Sequence, residues 1–145
     1  MESDDGSAVM RTLRTINVSA AIIVLLCFFL PWEQVSCAGA TGNLSGMDLA
    51  RHDRVLLWMV PVLMGALIAL KLLRDKQTES KAVWLGSVIS GLVVAYLMNR
   101  ERLRAHDEAG VISAQLTGWF WLAFISAFAV VATAVGVLLR RQRAP

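Results

Sequence analysis

Residues Gly118 to Leu139 read GWFWLAFISAFAVVATAVGVLL, a run without a single Asp, Glu, Lys, Arg or His. Wound as an α-helix at 1.5 Å per residue, this run extends roughly 33 Å, enough to cross a hydrocarbon core of about 30 Å. It carries no polar stripe on which a soluble helix would meet water. Three further runs of similar length and composition precede it, Ile16–Trp32, Val55–Leu73 and Ala82–Met98. Lipid satisfies no backbone polar group, so each run is expected to be helical. Pro61 lies inside the second run and predicts a kink there.

Bulk composition agrees. The chain has 145 residues, of which 57% are hydrophobic and 17% charged. An average soluble domain is nearer ~45–50% apolar and ~25% charged. A soluble fold of this length has too little interior to hide so much apolar surface. The expectation is one integral membrane domain over residues 1–145. Its fold class is all-α transmembrane, a four-helix membrane bundle with a small β-containing extracytoplasmic cap.

Orientation follows from Lys and Arg. Nine of the 14 fall on the side of the N-terminus, the 74–81 loop and the C-terminus, and five fall on the other side. The positive-inside rule then places both termini in the cytoplasm. Trp32, Trp58, Tyr96, Trp119 and Trp121 are expected to form an outer aromatic belt, with Trp84 on the inner one. Lys71, near the inner end of its span, can snorkel. A cleaved leader is not expected. The Ala38-Gly39-Ala40 site lies some ten residues past the apolar run, whereas signal peptides are cut close behind it. Glu2, Asp4 and Asp5 also make the leader acidic. Basic residues sit at the ends of apolar runs and not in a stripe interleaved with aromatics, so a nucleic-acid partner is not expected.

The outer segments, 33–54 and 99–117, are the long connections, and loops of that length are usually ordered by a structural or functional demand. Partial alternation over Pro31–Cys37, a Gly/Asn turn near 39–43 and Leu44–Ala50 predict a short hairpin followed by a helical turn. Asn99–Glu108 reads as a polar extension of the third helix. Val111–Leu116 supplies a third strand, without which two strands alone would be marginal in water.

The pieces Phe29-Leu30-Pro31-Trp32, Val35-Ser36-Cys37 and Leu44-Ser45-Gly46-Met47-Asp48-Leu49-Ala50, with the Gly118-Trp119 pair opening the last span, resemble a pattern in uncharacterised small bacterial four-span membrane proteins. The resemblance covers about a third of the chain. It implies a bacterial cytoplasmic (inner) membrane and the same topology, and it implies no activity.

Several groups of residues carry possible chemistry. Cys37 is the single outer cysteine. It is read either as a reactive or intermolecularly bridged thiol or, by preference, as a small buried residue. Asp48 and His52 share a helix face, and with Asp53, His106 and Asp107 they are candidate metal ligands. The preferred reading is a solvated charged rim, because Arg51, Arg54 and Arg104 stand among these acids and pair with them. The small-residue pairs Gly65/Ala69, Gly86/Ser90, Ser87/Gly91 and Ala132/Gly136 have the spacing for close helix contact. Packing within the bundle is preferred to a dedicated dimer face. The spans hold no Asp, Glu, His or Arg at mid-depth, which counts against a pump or ion-coupled carrier. Phosphate-binding glycine loops, His-Glu-x-x-His, Cys-x-x-Cys and nucleophile elbows are absent.

The expected function is therefore a non-enzymatic accessory or structural membrane component, without cofactor, whose outer cap contacts a protein partner or another copy. The alternative is a small oligomeric carrier or channel for an uncharged or lipidic solute. An enzyme acting through Cys37 or the His-Asp clusters is the reading given least weight.

Overall fold

The computed structural model describes residues 2–37, 40–52, 54–73, 80–108 and 113–143. Four long helices dominate: α1 (Glu2–Cys27), α3 (Met59–Leu73), α4 (Lys81–Glu108) and α5 (Gly118–Arg143). All four are long and apolar enough to cross a membrane. Between them lie strands β1 (Pro31–Cys37), β2 (Ala40–Ser45) and β3 (Ser113–Leu116), a short helix α2 (Gly46–Arg51) and a 3-10 turn at Val55–Trp58. The helices run alternately up and down, so the strands gather at one end, the cap end, and both chain termini at the other, the tail end. Packing joins α1 to α3 and α5, and α4 to α5 and α3, which closes a four-membered ring whose thinnest seam is α3 against α4.

The cap is one antiparallel sheet in the order β2-β1-β3. Thus the hairpin, the third strand, the helical turn and the polar extension of the third long helix are all present. Ser45 starts α2 as a capping box. Its hydroxyl accepts the Asp48 backbone N–H, while the Asp48 carboxylate accepts the Ser45 N–H at 3.0 Å.

The first long helix ends at Cys27, short of the expected Trp32. Pro31 explains this. The residue before a proline is disfavoured in the α region and pushed toward extended backbone, so the chain turns over 28–30 and enters β1. Pro61 sits just past the switch from 3-10 to α-helical winding within the second span. It is the third residue of α3, where its missing N–H costs no intrahelical bond. The strain that its ring would place on the carbonyl four residues earlier falls in the 3-10 turn instead.

One continuous core fills the bundle from the cap downward, built on Ala21, Val24, Phe28, Trp32, Val60, Met64, Val94, Met98, Phe120, Ala127 and Val130. A smaller cluster of Trp84, Ala134 and Val137 sits toward the tail end. Two glycines set close approaches. A methyl group at Gly91 would stand 2.6 Å from Val131 Cγ2, so α4 and α5 meet there without a side chain between them. One at Gly46 would stand 2.8 Å from the Phe28 carbonyl oxygen and 3.1 Å from Trp32, so α2 can lie on the end of α1 only with glycine at this position. Around the outside, large apolar side chains face outward on the long helices: Val62 is 64% exposed, Ile89 61% and Ile125 64%. Such a girdle is far larger than the apolar patches that water-soluble monomers expose.

Candidate functional site

The cap is anchored by a local irregularity in β1. Pro31 pairs with Ser45 but Glu33 pairs with Leu44, so Trp32 is the extra residue of a bulge. Strand side chains normally alternate between faces, and a bulge re-aims them. Consequently the consecutive residues Trp32 and Glu33 are both buried. Trp32 packs edge-on against Phe28 and Phe120, and its indole N–H donates to the Cys27 carbonyl at 2.6 Å. Its own carbonyl accepts the Thr117 N–H at 2.9 Å, which ties β1 to the start of α5.

Glu33 meets a cation. Arg54 Nη1 lies 2.6 Å from Glu101 Oε2 on α4 and 3.5 Å from Glu33 Oε1 on β1. The three side chains are 14%, 6% and 5% exposed, respectively. One guanidinium therefore links the sheet, the segment entering α3 and the helix α4. The Glu101 contact is the short, charge-assisted one. Glu33 and Glu101 are thus partners of Arg54 among the described residues, while Asp53 and the side chains of Asp107 and Glu108, with which it was expected to pair, lie outside them. The polar part of α4, strand β3 and the first turn of α5 enclose an open groove of about 620 Å³ whose lining includes Arg102, Leu103, His106, Gln115 and Trp121.

A second polar cluster lies toward the tail end. Lys71 does not snorkel; it is fully buried. Its ammonium donates to Asn17 Oδ1 and stands 3.7 Å from the centre of the Trp84 ring, a close cation–π contact. Asn17 in turn donates to the Val130 carbonyl at 2.8 Å and to Thr133 Oγ1 at 2.7 Å, and Thr133 donates to the Ala129 carbonyl at 2.7 Å. This chain of contacts touches all four long helices: Asn17 on α1, Lys71 on α3, Trp84 on α4 and Thr133 on α5. Trp84 and Trp32 were both expected in interfacial belts and are both buried. Trp58, Tyr96, Trp119 and Trp121 are exposed as a belt requires.

The candidate metal ligands are placed as follows. The Asp48 carboxylate is taken up by the capping box, and His52 Nδ1 lies 3.1 Å from the Asp48 carbonyl oxygen. His52 and His106 are exposed. Asp53 and the side chains of Asp107 and Cys37 lie outside the described residues, and among the described ones no three His, Cys, Asp or Glu converge. Hydrogen bonds from the Ser45 hydroxyl and then from its N–H hold the Asp48 pKa below its ordinary 3.8. A depressed carboxylate contributes stability above its unfolded pKa and loses it as pH falls toward the folded one. The difference in thermal midpoint between the protein and its Asp48→Asn variant is therefore expected to shrink as pH drops below about 4. A difference that holds constant to lower pH would show that the capping carboxylate is not responsible.

The small-residue pairs divide. Gly91 meets α5 within the bundle, and Ser87 is buried with its hydroxyl donating to the Val83 carbonyl of its own helix. Gly86, Gly65 and Gly136 have nothing within 4 Å of where a Cβ would stand, and Ala69 and Ala132 are exposed. Gly86, Ser87 and Ser90 instead line an apolar groove of about 270 Å³ on the α3–α4 seam.

Sequence reasoning missed Glu33 and Glu101. The available signal was positional: an acid directly following a buried-type tryptophan and an acid three residues beyond a span. No protein-family model, curated protein sequence or solved structure matches this chain.

Proposed function

We propose that this protein is a multi-pass component of a bacterial cytoplasmic membrane, with both termini in the cytoplasm, and that it acts without catalysis by presenting its extracytoplasmic cap to a protein partner or another copy. Membrane embedding is supported by the apolar girdle, which lipid would cover at no cost and water would not. The nine-to-five division of Lys and Arg supports the orientation.

The observation that carries the docking role is the groove between α4 and β3. It combines aromatic, aliphatic, basic and amide side chains, the mixture typical of protein contact sites. Its β3 wall is held by pairing with β1, so little ordering of that strand is required on binding. The test is a photo-crosslinking residue at Gln115 in the native membrane, with one at lipid-facing Ile125 as control. A discrete protein adduct from position 115 alone, matched by a larger species on a native gel, is expected. A monomer that yields no adduct at 115 would remove the proposal.

A second reading, a carrier for a lipidic solute, is favoured by one feature. The groove at Gly86 and Ser90 is apolar and opens sideways on the α3–α4 seam. Transport of such a solute would require oligomerisation, because four helices rarely enclose a path alone.

A further inference from the structure

The tail end carries a groove unlike those considered so far. It runs between α1 and α3, has a volume of about 390 Å³, and is lined by Arg11, Arg14, Thr15, Ser19, Lys71 and Leu72, with Val18 behind them. Arg11 and Arg14 are three residues apart, so they share one face of α1. Arg14 Nη2 donates to the Lys71 carbonyl at 2.6 Å. That carbonyl belongs to the last turn of α3, where oxygens lack intrahelical donors. The bond holds the guanidinium of Arg14 against the last turn of α3, at the wall of the groove. Lys71, whose buried ammonium lies on Asn17 and Trp84, is also among the lining residues.

The surrounding charge has the same sign. The tail end holds nine Lys and Arg against five Asp and Glu (Glu2, Asp4, Asp5, Asp75, Glu79), an excess of four positive charges. The cap end has no such excess. Behind the cations, the same face of α1 continues through Val18, Ile22 and Leu26, of which Ile22 and Leu26 are exposed. A basic head region with an apolar track leading away from it has the form of an anionic amphiphile. Basic pockets between membrane helices on the cytoplasmic side characteristically take phosphate-bearing headgroups.

We propose that this groove binds the phosphate of an anionic phospholipid, held by Arg11 and Arg14, with an acyl chain laid along Val18, Ile22 and Leu26. The assignment rests on the membrane reading but not on the docking role of the cap. The shared chemistry with a free phosphate lies in the arginines alone; the apolar track is what selects the lipid.

Native mass spectrometry of the whole protein in mild detergent tests it, with phosphatidylglycerol as the probe and phosphatidylcholine of the same chains as the comparison. Phosphatidylglycerol occupancy is expected to exceed that of phosphatidylcholine by about tenfold or more, and Arg11→Gln/Arg14→Gln should remove most of that excess. Arg11→Lys/Arg14→Lys should retain a large part of it, and Arg140→Gln/Arg141→Gln, which alters charge at the same end away from the groove, should change it less than about twofold. Equal binding of the two lipids would overturn the proposal, as would an equal loss in the 140/141 variant. Displacement of bound phosphatidylglycerol by inorganic phosphate would reassign the groove to a free anion and overturn it too. If the double glutamine variant does not fold, Arg11→Gln alone and the wild-type lipid ratio decide. Failure of the membrane reading itself would appear separately, as a protein that stays monodisperse without detergent.

Discussion

Arg54→Ala is expected to destabilise the folded protein by about 3–5 kcal/mol, measured by reversible unfolding in mixed micelles. The reason is the surroundings it leaves behind. Glu33 and Glu101 are 5% and 6% exposed in their side chains, and Arg54 is the cation placed between them. Removing it takes a cation 2.6 Å from Glu101 and 3.5 Å from Glu33 out of a poorly solvated place, and the desolvation cost of such groups exceeds that of a broken surface pair. Replacing all three together, Glu33→Leu/Arg54→Met/Glu101→Leu, should cost far less than the single change, within about 2 kcal/mol of the parent, because no charge is left buried. A single variant within about 1 kcal/mol of the parent would show that water reaches these carboxylates freely and that the pair is a surface one.

Trp32→Ala should be comparably severe, at about 3–5 kcal/mol. Trp32 is fully buried at the junction of the cap and the bundle. Its rings lie against Phe28 of α1 and Phe120 of α5, at 5.8 and 5.5 Å between centroids, and α2 rests on it at Gly46. Truncation leaves a cavity that touches three elements, none of which can move inward without breaking its own packing. Trp32→Phe separates the contributions. It keeps most of the apolar filling and loses the hydrogen bond to the Cys27 carbonyl, so about 1–2 kcal/mol is expected. The cap should also loosen selectively in the alanine variant, with faster amide exchange in β1 and β3 than in α4 and α5. Uniform loosening of cap and bundle would mean that Trp32 belongs to the general core and does not hold the cap in particular.

Both predictions concern residues that were misjudged or overlooked from the sequence, and the cause is specific. In a soluble helix, the buried face is apolar and the exposed face polar, so periodicity reports burial. When a helix also presents apolar side chains outward, that contrast disappears. Gly86 and Gly91 look alike as small residues on one helix, yet Gly91 meets α5 closely and Gly86 meets nothing. Lys71 resembles any lysine at the end of an apolar run, and only the placement of Asn17 and Trp84 around it turns the chain inward. The belt tryptophans show the same ambiguity: Trp121 and Trp32 both sit at the edge of a span, and one is exposed while the other is sealed beneath a sheet.

The amino-acid sequence by itself determined the four long helices and the short strands and capped helix at the cap end, though not that the first helix would end before Pro31. Each of these is set by interactions within a few residues: apolar run length and the Ser45–Asp48 box. Tertiary structure alone decided which side chains meet. Arg54 finds Glu101 across 47 positions of chain, and Lys71 finds Asn17 across 54. The physical reason is that burying an ion or an amide is favourable only when its partner arrives at the same point. That coincidence is a property of how the helices pack around one another, and no local stretch of residues contains it.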